Sequence, residues 1–257
     1  EPTWRSQATP PAVLRKPSSG GYGAAMNEDN DPLALDPEFS ARFGEQVRPA
    51  CQLYLISPAK VDGDFPAVLE QALAAGPVAA FQFRVKGVDQ HAAARLAEPL
   101  LAICRAADVA FIVNDDMALA KRLGADGVHL GQGDGDPREA RRLLGPDAQI
   151  GVTCHDSRHL AMEAGEAGAD YVAFGAFFPT MTKETRHRAE PVLLGWCSTV
   201  SEIPCVAIGG ITPANAAPLI RAGADFLAVS SAVWNHPAGA ATGVAEFARL
   251  LAETPRD

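Results

Sequence analysis

The side chains best suited to chemistry in this chain follow short apolar runs. The segment of residues 175–183 comes directly after the apolar residues 171–174 and contains Thr180, Thr182 and Lys183. Two hydroxyl groups and one ammonium group can all donate hydrogen bonds to an anion. The pattern therefore predicts a place to hold a diphosphate group at the end of a strand.

A second group of polar side chains alternates along one apolar run. Gln82, Arg84 and Lys86 are separated by single residues in and after the strand-like residues 78–83. Alternate side chains of a strand share one face, so all three can point to the same side of a sheet. The alternative is a solvated rim with two ordinary surface cations. An alternating polar trio within an apolar strand favours the functional interpretation.

Two carboxylates are placed to hold a metal ion. Residues 114–116 are Asn-Asp-Asp and follow an apolar run, and a glycine-rich loop at residues 131–136 contains Asp134 and Asp136. Asp136 precedes a proline, as a helix N-cap does, which leaves Asp134 free. Asp115 and Asp134 on neighbouring loops suit a hard cation that also binds water and phosphate oxygens, so we predict Mg²⁺ there. The alternative is that one of residues 114–116 only caps the next helix.

Other polar residues near strand ends have less definite roles. Thr153 can offer a hydroxyl group to a substrate, whereas His155 is expected either to cap or pack locally or to act on a substrate. His129 lies within an apolar run and is expected to be a core or rim histidine. Cys154 has no activating partners in the sequence, so no nucleophile is predicted.

These residues fall into a regular alternation of strands and helices. Short apolar runs predict strands at residues 53–56, 78–83, 110–113, 127–130, 149–152, 171–174, 205–208 and 226–229. Alanine and leucine at helical spacing predict helices at residues 66–75, 90–106, 117–123, 137–144, 157–167, from 213 onward, and at 240–252. Gly-Ala-Asp recurs before the fourth, sixth and eighth strands, where glycine suits a helix cap. The pattern predicts an α/β fold, a closed (β/α)8 TIM barrel, whose active site lies where the strands end.

The ends of the seventh and eighth strands complete the predicted mouth. Gly209 and Gly210 follow strand seven, and Ser230 and Ser231 follow strand eight. The loops after these two strands form the common phosphate site of such barrels. Glycine also lets backbone N–H groups approach an oxyanion closely. The alternative is that the two glycines only permit a tight turn.

The composition limits the class of protein. The chain has 257 residues, of which 47% are apolar, and one such barrel needs about 250 residues. Its net charge of −9 argues against nucleic acid as a partner, although a local cationic site can still bind phosphorylated small molecules. No apolar run spans a bilayer and no secretory signal is recognisable, so no membrane partner and a cytoplasmic location are expected. The cysteines lack a C-x-x-C pair and are expected to be buried, reduced thiols.

Residues 1–48 differ from the rest of the chain. They contain proline, glycine, serine and acidic clusters and little apolar periodicity. Such a segment cannot bury enough surface to offset its ordering entropy, so we expect a flexible N-terminal tail. Residues 49–257 are predicted to form the barrel domain. The sequence leaves a homo-oligomer open and does not determine the oligomeric state.

Five motifs resemble those of the thiamine-phosphate synthase family, within the thiamine-phosphate synthase/thiazole tautomerase group of barrels. They are Gln82-x-Arg84-x-Lys86, Asn114-Asp115, residues 127–134 (Gly-Val-His-Leu-Gly-Gln-x-Asp), Pro179-Thr180-x-Thr182-Lys183 and residues 208–211 (Ile-Gly-Gly-Ile). They occur in family order across about residues 51–253, and the Pro-Thr-x-Thr-Lys run is the strongest. The sequence departs from the family at Thr153, Ala176 and Ser230, where serine, proline and an apolar residue are usual.

The resemblance implies a reaction in thiamine biosynthesis. 4-Amino-2-methyl-5-pyrimidinylmethyl diphosphate and 4-methyl-5-(2-phosphooxyethyl)thiazole would join to give thiamine phosphate and pyrophosphate. Diphosphate would leave first, and the thiazole nitrogen would attack the remaining pyrimidine cation. The resemblance implies that Arg84, Lys86 and Lys183 stabilise the leaving group. It also implies Mg²⁺ on Asp115 and Asp134.

The resemblance further implies substrate contacts on several strand ends. The pyrimidine and its diphosphate would be held by one group of residues, and the thiazole phosphate by another, with Thr180 and Thr182 serving either. The substrate-binding residues implied are Gln82, Asn114, Thr153, Thr180, Thr182, Gly210, Ser230 and Ser231.

Two alternative functions remain open at this point. A thiazole tautomerase would bind thiazole phosphate and move a proton, with His155 as the candidate acid or base. A non-catalytic barrel would bind thiamine-type phosphates for regulation. The tautomerase has no use for two metal carboxylates, and the regulatory barrel would tolerate loss of Lys183 and Asp134. Their presence favours the synthase.

Overall fold

A computed structural model describes residues 49–180 and 187–256, and these residues form a closed barrel of parallel strands. Neighbouring strands follow the order of the sequence, and the first strand pairs with the last. The strands are β1 (Gln52–Ile56), β2 (Ala80–Phe83), β3 (Ala110–Asn114), β4 (Gly127–Leu130), β5 (Gln149–His155), β6 (Tyr171–Phe174), β7 (Cys205–Ile208) and β8 (Phe226–Val229). The predicted (β/α)8 TIM barrel is confirmed. The predicted tail of residues 1–48 lies outside the described residues.

Helices connect the strands in turn. They are α1 (Phe65–Ala74), α2 (Gln90–Ala106), α3 (Met117–Leu123), α4 (Pro137–Leu144), α5 (Arg158–Glu166), α6 (Pro191–Val200), α7 (Ala217–Arg221), α8 (Ser231–Trp234) and α9 (Ala240–Glu253). The sequence did not define α6, whose central Gly195 weakens a helical pattern. The helix after β7 begins at Ala217 and not at residue 213, because a turn comes first. In that turn the Asn215 side chain accepts a hydrogen bond from the Thr212 N–H at 2.8 Å.

All five cysteines are buried thiols that form no disulfide bond, as expected. Within residues 49–180 and 187–256, no helix combines the length and the apolar character that a bilayer crossing requires.

The strand side chains are divided between two apolar layers. Outward-facing residues such as Leu55, Phe81 and Phe111 pack with the helices in the larger cluster. Inward-facing residues such as Tyr54 and Ile112 form a separate cluster inside the barrel. Burial on both faces explains why the strands are apolar without strict alternation. A polar side chain with inward parity must therefore lie inside the barrel or at its mouth.

The repeated Gly-Ala-Asp junctions share one structural role. Their glycines have left-handed backbone, with φ of 59° at Gly124, 87° at Gly168 and 102° at Gly223. The aspartate of each repeat accepts a hydrogen bond from a backbone N–H of the preceding strand. These bonds join Asp126 to Phe111 (2.7 Å), Asp170 to Ile150 (2.8 Å) and Asp225 to Cys205 (2.7 Å). The repeat thus ties adjacent strands together at the end of the barrel opposite the mouth.

Replacing Asp225 with alanine is expected to destabilise the barrel strongly. Its carboxylate also pairs with Arg256 at 3.0 Å, and both side chains are at most 15% exposed. The substitution leaves a buried guanidinium and the Cys205 N–H without this partner, so we expect a loss of about 3–5 kcal/mol in the free energy of unfolding. Urea denaturation measures this loss in the free energy of unfolding.

The control for this measurement is Asp147→Ala, which removes an exposed carboxylate from the loop after α4. It should change the free energy of unfolding by no more than about 0.5 kcal/mol. Equal stability of the two variants would contradict the structural role given to Asp225.

Candidate active site

Polar side chains replace apolar ones at the carboxyl ends of four neighbouring strands. Gln82, Asn114, His129 and Thr153 lie on β2 to β5 with the parity of the inward-facing residues. The strand pairing places Asn114 beside His129. These four side chains therefore form the polar layer that closes the apolar interior below the mouth.

The cationic side of the mouth continues β2. Arg84 and Lys86 follow Gln82 at alternate positions, as the sequence predicts. The backbone of Arg84 is held by the buried Ser57 hydroxyl, which accepts from the Arg84 N–H at 2.8 Å and donates to its carbonyl at 3.1 Å. The sequence analysis did not identify Ser57, although it directly follows β1. Both cations act electrostatically on Asp115, which brings the ends of β2 and β3 into one site.

Asp115 does not cap α3, because the neighbouring Asp116 does so. Asp116 accepts a hydrogen bond from the Leu119 N–H at 2.7 Å and caps α3. Asp115 has a left-handed backbone with φ of 66°, a conformation that aspartate adopts more readily than most residues. Its N–H donates to the His129 carbonyl at 2.8 Å. The backbone therefore fixes this carboxylate beside β4 and leaves it available for chemistry.

Asp134 reaches the same place from the loop after β4. Its carboxylate accepts a hydrogen bond from the Gly131 N–H at 3.0 Å. A Cβ atom at residue 131 would lie 2.5 Å from that oxygen, so glycine is needed for the loop to close in this way. Asp136 caps α4 through the Arg138 N–H at 2.8 Å. The sequence-based distinction between a capping Asp136 and a free Asp134 agrees with this geometry.

The carboxyl groups of Asp115 and Asp134 lie close enough to interact directly. Burial raises the pKa of Asp115, and the Asp134 carboxyl group raises it further. The charges of Lys86 and Arg84 lower it without cancelling the rise. A cation between the two carboxylates would relieve their repulsion. No cluster of three or more histidine, cysteine or acidic residues suited to a metal occurs among the described residues, so a metal here would complete its shell with water or substrate oxygens.

A hydrogen-bonded network lies directly beneath these charges. Gln82 Nε2 donates to Tyr54 Oη at 3.0 Å, and that oxygen lies 2.9 Å from Tyr171 Oη. His129 Nδ1 lies 3.1 Å from Tyr171 Oη, and its Nε2 lies 2.8 Å from Thr153 Oγ1. Burial lowers the pKa of His129 to about 4 and raises that of Tyr54 to about 12. The imidazole is therefore neutral and the phenol protonated near neutral pH.

The expectation that His129 is a core or rim histidine is confirmed, since it is 6% exposed. Neither tyrosine of the network stood out in the sequence as a functional residue. The signal that could have found them is parity, because Tyr54, Gln82, His129 and Tyr171 all occupy inward positions of otherwise apolar strands.

The glycines after β7 support the loop that follows β6. The Phe177 N–H donates to the Ile208 carbonyl at 3.2 Å, and the Phe178 N–H donates to the Gly209 carbonyl at 3.1 Å. A Cβ atom at residue 210 would lie 2.3 Å from the Pro179 carbonyl oxygen. Gly210 also has a φ of 63°. Close packing of two loops is thus a role for these glycines that the sequence analysis did not predict.

The half-buried Thr180 is the last described residue of the loop after β6, whereas Thr182 and Lys183 lie outside the described residues. Where the description resumes, the His187 ring stacks on His155 with centroids 4.5 Å apart, and His187 Nδ1 lies 3.0 Å from Asp156 Oδ1. His155 therefore packs against the returning chain, one of the two roles expected for it.

The serines after β8 lie where the chain turns back towards β1. Ser230 is half-buried and its hydroxyl donates to the Ser57 carbonyl at 3.4 Å, whereas Ser231 is exposed at the start of α8. Trp234 of α8 donates from Nε1 to the Ile56 carbonyl at 2.6 Å. The Asn215 side chain donates to the Gly210 carbonyl at 3.0 Å. These bonds place the ends of β7, β8 and β1 around one rim.

Comparison of the sequence with known proteins gives close relatives. A family model described as thiamine monophosphate synthase matches residues 53–233. The thiamine-phosphate synthase of Erythrobacter litoralis is 69% identical over 205 residues, which cover 78% of this chain and 95% of the relative. That of Rhodospirillum centenum is 58% identical over 202 residues, covering 78% of this chain and 98% of the relative.

Comparison with solved structures also finds a related protein. A thiamine phosphate pyrophosphorylase from Pyrococcus furiosus has a TM-score of 0.70 and 30% identity, covering 79% of this chain and 96% of that structure. An orotidine 5'-phosphate decarboxylase from Pyrococcus horikoshii has a TM-score of 0.57 at 14% identity, which shows the shared fold alone. With the family model matching residues 53–233, the chain belongs to the thiamine monophosphate synthase family.

Proposed function

We propose that this protein is a thiamine-phosphate synthase. It joins 4-amino-2-methyl-5-pyrimidinylmethyl diphosphate to 4-methyl-5-(2-phosphooxyethyl)thiazole, and it releases pyrophosphate. The observation that carries the proposal is the meeting of Arg84, Lys86, Asp115 and Asp134 at one mouth. Its support from relatives is the 69% identity to a thiamine-phosphate synthase over nearly the whole of that relative.

The reaction breaks the bond between the pyrimidine methylene carbon and a diphosphate oxygen. The bonding electrons leave with the diphosphate, and the thiazole nitrogen then supplies the pair that forms the new carbon–nitrogen bond. Negative charge on the leaving group grows as the bond breaks, so fixed cations aimed at it lower the barrier. Arg84 and Lys86 take this role from the segment that follows β2, and Lys183 takes it from the segment outside the described residues.

Asp115 and Asp134 would hold Mg²⁺ in this proposal. The fit rests on two observations: each carboxylate is free of a capping role, and their closeness raises the pKa of Asp115. Bound there, the ion would supply Lewis-acid stabilisation of the diphosphate charge. Arg84 and Lys86 bring two positive charges to the same region.

The remaining contacts are assigned by their place at the mouth. Gln82, Asn114 and Thr153 form the polar layer that would hold the pyrimidine and the near end of its diphosphate. Thr180 and Thr182 would contact the thiazole phosphate or the diphosphate. Gly210, Ser230 and Ser231 would bind the thiazole phosphate at the rim formed by β7 and β8, a common phosphate site in these barrels. A cytoplasmic location, small phosphorylated partners and the absence of nucleic-acid binding remain predictions from the sequence.

Removal of one charged group should greatly reduce coupling. We expect Asp115→Ala and Lys183→Ala each to lower kcat by about 10²–10³-fold, as loss of one preorganised electrostatic contact does. The measurement is pyrophosphate release with both substrates, with and without Mg²⁺. The control Lys121→Ala on α3 changes an exposed cation away from the mouth and should leave kcat unchanged.

Wild-type turnover in either variant would refute the role given to that residue. If the wild-type protein released no pyrophosphate but exchanged a proton of the thiazole phosphate, the synthase proposal would fail and the tautomerase alternative would replace it.

The carboxylate pair should make the thermal stability depend on Mg²⁺ and pH. The raised pKa of Asp115 means that the folded state holds this proton more tightly than the unfolded state. Its contribution to stability is complete below the ordinary aspartate pKa of about 3.9, and it is lost as pH rises through the raised pKa. At pH 8 without metal, Asp134→Asn should therefore raise the Tm by removing the repulsion.

Added Mg²⁺ should reverse this order at pH 8. A free concentration of 100 times the Kd stabilises the wild type by about 2.7 kcal/mol, and Asp134→Asn should lose most of this gain. The gain should also shrink at low pH, because protons compete with the metal. Asp136→Asn is the matched control, since it removes one nearby charge but retains a capping side chain. An undiminished Mg²⁺ shift in Asp134→Asn would rule out the proposed metal site.

A further inference from the structure

A continuous chain of hydrogen bonds crosses the barrel interior beneath the proposed substrate. It runs from Gln82 on β2 through Tyr54, Tyr171 and His129 to Thr153 on β5. The three middle residues are only 3%, 3% and 6% exposed, respectively. None of them belongs to the charged groups that stabilise the diphosphate. Their polar atoms lie in an otherwise apolar cluster, where each one is stabilised only by its hydrogen bonds to the others and to the two end residues.

The order of donors along this chain follows from its first link. Gln82 Nε2 donates to Tyr54 Oη, so the Tyr54 hydroxyl proton is available for the next oxygen, on Tyr171. Tyr171 can then donate its own proton to His129 Nδ1. A neutral imidazole carries one N–H, so when Tyr171 donates to Nδ1, that N–H lies on Nε2 and donates to Thr153 Oγ1.

This order determines what the two ends can offer to a ligand. Thr153 Oγ1 accepts from His129, so its own proton is directed away from the chain and can be donated to a ligand. Gln82 uses its amide nitrogen towards Tyr54, which leaves the amide oxygen as an acceptor. Each of the three middle residues has one proton to donate, so their hydrogen bonds must all reverse direction together. Such a reversal would make Thr153 an acceptor towards the ligand and Gln82 a donor.

The packing of the rings holds the hydroxyl groups in place. Tyr171 stacks on His129 with centroids 5.6 Å apart and meets Tyr54 edge to face at 6.1 Å. A Cβ atom at residue 151 would lie 2.0 Å from Tyr171 Cζ. Gly151 on β5 is therefore needed for the Tyr171 ring to occupy this position. The chain of hydrogen bonds depends on a matched set of residues from several strands.

We propose that Tyr54, Tyr171 and His129 are positioning residues that present Thr153 as a hydrogen-bond donor and Gln82 as an acceptor to the substrate. The site then selects a heteroaromatic ring that offers an acceptor nitrogen and a donor amino group, as an aminopyrimidine does. This inference rests on the proposed function, because Gln82 and Thr153 are substrate contacts only within it. The middle residues act through the two end residues and do not touch the reacting atoms.

The first test measures the tautomer of His129 by ¹⁵N NMR and needs no substrate. The wild type should show the Nε2–H form alone. Tyr171→Phe removes the donor to Nδ1 and should produce a mixture that includes the Nδ1–H form. Tyr54→Phe removes the link that orients the Tyr171 hydroxyl and should likewise produce some of the Nδ1–H form. An unchanged tautomer in Tyr171→Phe would overturn the proposed order of donors.

The second test measures the KM of each substrate separately. Tyr54→Phe and Tyr171→Phe should each raise the KM for the pyrimidine diphosphate about tenfold, the value of one hydrogen bond, and leave that for the thiazole phosphate within about twofold. The double variant should resemble either single variant, because one break already disconnects the two ends. Equal rises in both KM values, or a double variant equal to the product of the singles, would overturn the proposal.

The matched control is Ile112→Val, which trims a buried side chain of the same interior cluster without touching the hydrogen bonds. It should change neither the tautomer nor the KM ratio. Failure of the wild type to couple the two substrates would instead refute the proposed function. The tautomer measurement would still decide the order of donors in that case.

Discussion

Two like charges held together at the barrel mouth are the constraint on which the site depends. Asp115 is fixed by a left-handed backbone and a bond to β4, and Asp134 by the N–H of Gly131. The nearby residues Asp116 and Asp136 cap the helices, so the carboxylates of Asp115 and Asp134 have no capping role. This arrangement is unfavourable in the protein alone, and a cation bound between the two carboxylates would make it favourable. The backbone of two loops thus holds the two carboxylates in the arrangement that a cation would bind.

The barrel tolerates this arrangement because its two ends serve different purposes. At the end away from the mouth, the Gly-Ala-Asp aspartates bond backbone N–H groups of adjacent strands. At the mouth, Ser57 holds the Arg84 backbone, and Trp234 anchors the short helix after β8 to β1. Hydrogen bonds at both ends hold the barrel together, so the mouth can carry charges that would not stabilise the fold by themselves.

The interior links these two regions. Most of it is apolar, but two tyrosines, an uncharged histidine and an amide lie within it in mutual contact. Burial holds the pKa of His129 at about 4, so the chain of hydrogen bonds stays neutral beneath a strongly charged mouth. A neutral support can orient Gln82 and Thr153 without adding to the charge that the carboxylates already carry.

The sequence by itself determined the fold and most of the charged site. Alternating apolar runs and Gly-Ala-Asp junctions are local patterns, and Gln82, Arg84 and Lys86 share a face through strand geometry alone. The Pro-Thr-x-Thr-Lys run is the strongest of the five motifs that carry the resemblance, yet Thr182 and Lys183 lie outside the described residues and stay predictions. Only the tertiary structure decided that Asp115 meets Asp134, that Gly210 makes room for the loop after β6, and that Tyr54 and Tyr171 join Gln82 to Thr153. Those contacts join strands far apart in sequence, and their distances depend on barrel closure, which no local pattern encodes.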